Sequence, residues 1–494
     1  MYRTIIKKGM GCMRKVNELM GWMENNGMKI TLFIFALVLF TPSINIISGF
    51  PAVRLEEIFV PVMLVYLFYK RSYLKEVVLK PFNVILILLG ISMAISLGNA
   101  IIRFGDPLRM GDLMEFVRVF KYLVMYTFIV VLFKDIKKEA LNFEKITTFV
   151  NYTVGILLAI NWAQYFNFLY FNRWFSPLFG PAHHVERIIR NSRVIGTIGN
   201  PNFFGGLMML FLLYYFAYFL FDREGFWNDR RKNIALVAAT WMSLLLTVSR
   251  TAIIAVTGGL FVAALVYLVL KKGKNLMSLG RMVAAFLIIG LLSNFFITFT
   301  MATYEDYLRP AYFAVRYTVE DAVVSAWDHF FDDEERDRDQ DKADRDDDRQ
   351  RSRGSHGVAY RMQDTVNEGL SIFARFNVWE EHFAIAQGSI IIGNGPEKGE
   401  YQEAAVDNEY LLILRRYGII GLTLFIALYL HNIFKFPKEK DEQWYYTFLF
   451  SATAALMAFN IMAGSFYHLQ LFPAYVIFIA IYDGYRVRKR SVSD

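Results

Sequence analysis

Blocks of apolar residues near the length a helix needs to cross a lipid bilayer, roughly 20 residues, recur along the chain. They lie at about 29–49, 57–69, 82–102, 112–133, 146–170, 201–221, 233–248, 251–270, 282–300, 417–434, 444–463 and 468–485. A large soluble core would show shorter periodic segments with polar faces. Composition agrees: the 494 residues are 55% hydrophobic and 17% aromatic but only 20% charged, which excludes an ordinary soluble protein of this length. The expected fold is an all-α integral membrane protein of about 12 transmembrane helices. No stretch repeats an earlier one well enough to mark an internal repeat.

Basic residues orient these spans. Lys7, Lys8, Arg14 and Lys15 lead the chain, and every second loop is basic: Lys70, Arg71, Lys75 and Lys80, then Lys134, Lys137 and Lys138, then Arg230, Arg231 and Lys232. The series continues through Lys271, Lys272 and Lys274, then Lys435, Lys438 and Lys440, and ends at Arg486, Arg488, Lys489 and Arg490. The positive-inside rule puts those loops and both termini in the cytoplasm. The net charge of +8 is largely this signal and does not point to nucleic acid.

The expected organisation follows. Residues 1–28 form an amphipathic cytoplasmic leader with no cleavage site, 29–300 hold spans one to nine, 301–416 form a large extracytoplasmic loop, 417–485 hold the last three spans, and 486–494 are a cytoplasmic tail. Cys12 is the only cysteine, so no intramolecular disulfide holds the loop. Within the loop, 332–353 is a mixed-charge, low-complexity run that reads as a solvated helix or tether. Asp346, Asp347 and Asp348 lack the ligand spacing of a cation loop.

Four places outside the cytoplasm carry candidate chemistry. Asn200 and Pro201 suit the cap and first position of the sixth span, whose positive end can receive an anion. Plain capping accounts for Asn200 by itself, but His183, His184, Arg187, Arg190 and Arg193 lie just upstream, against the positive-inside bias. An anionic ligand or lipid headgroups would each explain them. In the fourth span, Glu115, Arg118 and Lys121 fall three residues apart, with Arg118 about 9 Å below Asp112 along the helix. Such intramembrane charges face a partner or cavity; a structural Glu115–Arg118 pair is the simple reading, and it leaves Lys121 without a named partner. Arg250 sits in the tight turn between spans seven and eight, where it serves an anion or snorkels to headgroups. Last, 371–422 carries Arg375, Trp379, His382 and Phe383 on a short amphipathic helix, then a turn with Gly393, Gly395, Pro396 and Gly399. Asp407 follows as the expected cap of the next helix.

Together, DLMEFVRVFKYL, RVIGTIGNPNFFGG, the turn around SRT, and ARFNVWEEHF followed by IIGNGP and VDNEYLLILRRYGIIGL resemble the O-antigen ligase and polymerase superfamily of the bacterial envelope. The resemblance covers roughly residues 100–425 and rests on order, side and spacing. It implies an inner-membrane glycosyltransferase with a large periplasmic loop, using undecaprenyl-pyrophosphate-linked oligosaccharide as donor and inverting by single displacement. Ligases of the superfamily carry a His-Asn pair where this chain has Asp407-Asn408, which favours a polymerase of lipid-linked O-antigen or exopolysaccharide repeats. A ligase acting on lipid A core or another surface acceptor is the first alternative, and a polysaccharide flippase the second.

The chemistry asks for cations at a departing pyrophosphate and a base at the acceptor hydroxyl. Arg118, Arg193, Arg250 and Arg375 are the expected cations, with Lys121, Asn200, Asn202 and Asn408 as further substrate contacts. Asp407 is the first choice of base, with Glu409, His382 and His468 as alternatives. No metal, cofactor or nucleotide is expected. Membrane lipids and a chain-length regulator protein are the expected partners.

Overall fold

The computed structural model describes residues 17–44, 53–105, 107–136, 143–167, 171–179, 193–221, 229–271, 276–303, 378–396 and 407–493. The tether, Arg375, the histidines and arginines of 183–190, and Cys12 lie outside them. The chain divides into two compact units, Met1–Ser293 with His382–Asp494, and Asn294–Glu381. Described residues of the second unit are 294–303 and 378–381, both helical.

The helices are α1 (Asn17–Asn25), α2 (Gly27–Phe40), α3 (Leu55–Tyr69), α4 (Arg71–Val78), α5 (Pro81–Phe104), α6 (Met110–Asp135), α7 (Phe143–Phe166), α8 (Phe171–Trp174), α9 (Pro201–Phe221), α10 (Arg230–Leu246), α11 (Arg250–Leu270), α12 (Leu276–Thr303), α13 (378–387), α14 (Glu409–Leu430), α15 (Gln443–Phe459) and α16 (Leu471–Ser493). The first predicted span stops early, at Phe40, and Ser43–Ile44 (β1) pairs antiparallel with Val53–Arg54 (β2) before α3.

Among the described residues, seven helices are long and apolar enough to cross a membrane, α5, α6, α7, α9, α11, α12 and α14, with α1 and α2, bent by 82°, as an eighth candidate. The remaining predicted spans are also helices, α3, α10, α15 and α16, which are shorter or more charged than that group. α9 is hydrophobic all round and buried along nearly all its length, so it forms the centre of its unit. α16 packs on α6 closely enough that a Cβ at Gly484 would lie 2.7 Å from the Phe133 Cβ.

α14 is not one straight helix. It starts at Glu409, one residue beyond the position the expected Asp407 cap implies and ahead of the span read from 417, and Gly418 breaks it with φ 67 and ψ −169. The rings of Tyr410 and Phe425 are 5.8 Å apart, whereas fifteen residues of unbroken helix would separate their backbones by roughly 22 Å. The arms 409–417 and 419–430 therefore fold back on one another. That turn positions the site.

Candidate functional site

The turn at Gly418 is locked by a second turn. Asn394 and Gly395 donate backbone N–H bonds to the carbonyls of Arg415 and Arg416, each 2.9 Å, and Ile419 donates to Ile390 at 2.8 Å. Ser96 of α5 joins them, donating to the Arg416 carbonyl and accepting from Gly395 N–H. A Cβ on Gly393 would lie 2.3 Å from the Arg416 oxygen, and one on Gly418 would lie 2.2 Å from the Ile391 oxygen. Both glycines also have positive φ, so the two backbones reach each other only because neither residue has a side chain. The glycine-rich IIGNGP turn thus reads as a clamp on α14.

The clamp aims Arg416 and Tyr417 at α6. Glu115 accepts from Arg416 Nη1 at 2.7 Å and from the Tyr417 hydroxyl at 2.9 Å. Arg118 Nη1 lies 3.8 Å from the same carboxylate, so the expected Glu115–Arg118 pair exists but is shared. Both guanidinium groups stack over Tyr467, Arg118 at 4.9 Å and Arg416 at 5.3 Å from the ring centroid. Arg118 Nε and Nη1 are buried without a hydrogen-bond partner, which is costly unless a ligand supplies acceptors. Lys121 finds the partner its own helix lacks in Glu57 of α3, 2.8 Å away.

The segment before α9 forms a neighbouring wall. The Gln164 amide accepts from the N–H groups of Ile195 and Gly196 and donates to the Gly196 carbonyl. Thr197 donates to the Leu39 carbonyl at 2.6 Å. Asn200 Oδ1 accepts from Asn202 N–H at 2.9 Å, the expected cap, with Pro201 the first helical residue. Asn202 Oδ1 accepts from Arg193 Nη2 at 3.1 Å, and Arg193 Nε donates to the Thr247 carbonyl in the turn that precedes Arg250. Burial lowers the Arg193 pKa from its ordinary value. The structure thus joins Arg193, Asn200 and Asn202 to the SRT turn, where Ser249 caps α11 and Arg250 is exposed.

Glu409, His382 and His468 are each held by hydrogen bonds. Glu409, buried, accepts at Oε1 from the backbone N–H groups of Phe466 and Tyr467, at 2.9 and 3.3 Å. It therefore holds the loop that presents Tyr467. His382 Nδ1 lies 3.0 Å from Arg415 Nη1; arginine can only donate, so Nδ1 accepts and Nε2 carries the proton. Burial, with Arg415 beside it, pushes the His382 pKa down to about 4. His468 Nδ1 likewise accepts from the N–H groups of Gln470 and Leu471, both at 3.3 Å. Burial and the charges of Arg54 and Arg118 push its pKa down to about 3. Both imidazoles are neutral Nε2–H donors near neutral pH.

Asp407 is exposed, and it is not the cap: Asn408 is, its side chain accepting from Leu411 N–H at 3.1 Å. The expectation of a capping aspartate is corrected by one residue. Asn408 is correspondingly engaged by its own helix.

The sequence reading passed over Arg416, Tyr467, Arg54 and Gln470. Adjacent charges in LILRRYG, directly before an apolar run, were the available signal for Arg416. Arg54 is paired with Glu56 at 2.7 Å and donates to the carbonyls of Val38 and Thr41. Nothing in the sequence singles out Tyr467. Among the described residues there is no group of three or more His, Cys, Asp and Glu side chains that could hold a metal.

No curated protein matches the chain. Residues 234–426 match the family model described as O-antigen ligase, a stretch that contains Arg250, Arg375, Asp407 and the Gly418 turn but not Arg118 or Arg193. With the helical membrane architecture, that match makes the chain similar over 234–426 to the O-antigen ligase and polymerase superfamily, whose members act in glycan transfer in the bacterial envelope.

Proposed function

We propose that the chain polymerises polyprenyl-pyrophosphate-linked oligosaccharide repeats at the outer face of the inner membrane. The observation that carries this reading is Arg118, half-buried, with two buried guanidinium nitrogens lacking hydrogen bonds and its carboxylate partner shared with Arg416. A pyrophosphate oxygen satisfies such a group better than a sugar hydroxyl does.

In the proposed step, an acceptor sugar hydroxyl attacks the anomeric carbon of the donor. The new C–O bond forms as the bond from that carbon to the pyrophosphate oxygen breaks. The hydroxyl proton passes to Asp407, and the lipid pyrophosphate leaves with the bonding pair. In this proposal Arg118, Arg250 and Arg375 stabilise the departing charge, and Arg193 and Asn202, joined to the turn before Arg250, add further contacts. Asp407 is favoured as base because its carboxylate is solvent-exposed just before α14, at the position where the superfamily's ligases carry histidine. An acidic residue where the superfamily's ligases carry histidine favours polymerisation, whereas the ligase description of the matched family favours attachment to a surface acceptor.

Expression in a polymerase-deficient strain separates these readings. A polymerase restores long chains, while attachment of pre-existing chains without lengthening would instead identify a ligase. Restoration of neither would remove both.

A further inference from the structure

Beside the cation cluster lies a cavity of about 170 Å³ whose walls include Arg54, Phe179, Thr197, Tyr467, His468 and Gln470. Its polar groups are not those of an anion site. Arg54 is neutralised by Glu56 and held by two backbone carbonyls. His468 is a neutral imidazole whose Nδ1 faces the chain, so Nε2–H is the donor left for the cavity. Gln470 uses its amide N–H groups on the carbonyls of Leu39 and Thr197, which leaves its side-chain oxygen as an acceptor. Tyr467 and Phe179 add aromatic surface. A neutral donor, a neutral acceptor and aromatic walls suit a sugar ring, which offers hydroxyls at its edge and C–H groups on its faces. The volume fits one pyranose and not two.

Position narrows the assignment. Tyr467 is a wall of this cavity and also the ring on which Arg118 and Arg416 stack, at 4.9 and 5.3 Å. A group in the cavity therefore sits one side chain away from the cations. We infer that the cavity holds the sugar directly attached to the donor pyrophosphate, and so reads the identity of the first sugar of each repeat. The wall is built in advance: Gln164 fixes 195–196, while Thr197 and Gln470 both fasten to the Leu39 carbonyl. This assignment rests on the donor reading above.

The test uses the full-length chain in nanodiscs with defined lipids. Bare polyprenyl pyrophosphate is compared with the same lipid carrying one hexose, N-acetylhexosamine, 6-deoxyhexose or uronic acid. One of these should bind about tenfold or more tighter than the bare lipid, the gain expected of two or three neutral hydrogen bonds. His468→Asn keeps an acceptor near the Nδ1 position but removes the Nε2 donor, and Ile198→Trp fills the cavity from its wall. Each variant that retains wild-type thermal stability should lose most of the sugar increment while binding the bare lipid normally. If every sugar-bearing lipid binds like the bare one, or if His468→Asn leaves the increment intact, the cavity assignment is overturned. If the bare lipid does not bind, or Arg118→Ala leaves its binding unchanged, the donor reading falls and this assignment falls with it.

Discussion

The two ends of the main unit neutralise their cations in different ways. At the end holding the predicted cytoplasmic loops, several lysines each have a carboxylate of their own: Lys70 meets Glu24 at 2.5 Å, Lys134 meets Glu76 at 2.5 Å, and Lys435 meets Asp483 at 2.6 Å. Lys489 has Glu439 and Asp441 together. At the other end, Glu115 serves both Arg118 and Arg416, and the two guanidinium groups share one tyrosine ring. There Arg118 keeps two guanidinium nitrogens, Nε and Nη1, without a hydrogen-bond partner. Lys121 and Arg54 stand at this second end but behave like the first kind, each with its own glutamate.

The sharpest division should come from Asp407, which has no capping duty. We predict that Asp407→Asn leaves expression, thermal stability and donor binding normal and lowers polymer formation by about 100-fold or more, the usual cost of losing a general base. Turnover near wild type would return the search for a base to the engaged groups.

Arg118→Ala should come next, with a loss of about 100- to 1,000-fold in transfer. Arg118→Lys should recover only part of it, because an ammonium cannot replace the two-pronged guanidinium contact. Single-turnover assays on protein of equal thermal stability check this; full activity in the alanine variant would break the contrast between the two ends.

Lys435→Met should do the reverse. It strands the buried Asp483, at a cost of about 3–5 kcal/mol, while turnover per folded molecule stays unchanged. Thermal unfolding and active-site-normalised rates, measured together, decide it.

The smallest effect is in acid. The folded pKa of His382, about 4, lies below the usual imidazole value. Below about pH 6.5 the unfolded chain therefore takes up a proton that the folded chain refuses, so this contribution is complete above that pH and declines toward pH 4. Over this interval His382→Asn, which keeps an acceptor for Arg415, should show a melting temperature about 2–4 °C less sensitive to acidification than the wild type. Parallel curves would mean that the histidine is not what acid unsettles.

Helix positions were largely legible because a span writes itself as a continuous apolar block; α9 begins and ends where the sequence puts it. The start of α14 was legible to within a residue from its cap, but its reversal at Gly418 was not, because that turn depends on backbone bonds from 394–395. The cap of α9 was readable from Asn200 and Pro201 alone. The sharing of Glu115 was not, since Arg416 comes from 301 residues away. Lys121 looked orphaned for the same reason: its partner is on another helix. Local chemistry can be read from neighbours in sequence, but the division of one carboxylate between two arginines belongs to the fold.

The folded-back α14 also bears on the surrounding lipid. Its second arm, 419–430, covers roughly 18 Å at the α-helical rise, well short of a hydrocarbon core of about 30 Å. Beside that arm lies an apolar groove lined by Leu88, Ile91, Ile95, Ile419 and Ile420. A short apolar surface draws the bilayer thinner around it or admits water to its depth. If the proposed transfer takes place at this end, the thickness of the host bilayer becomes a variable in its rate.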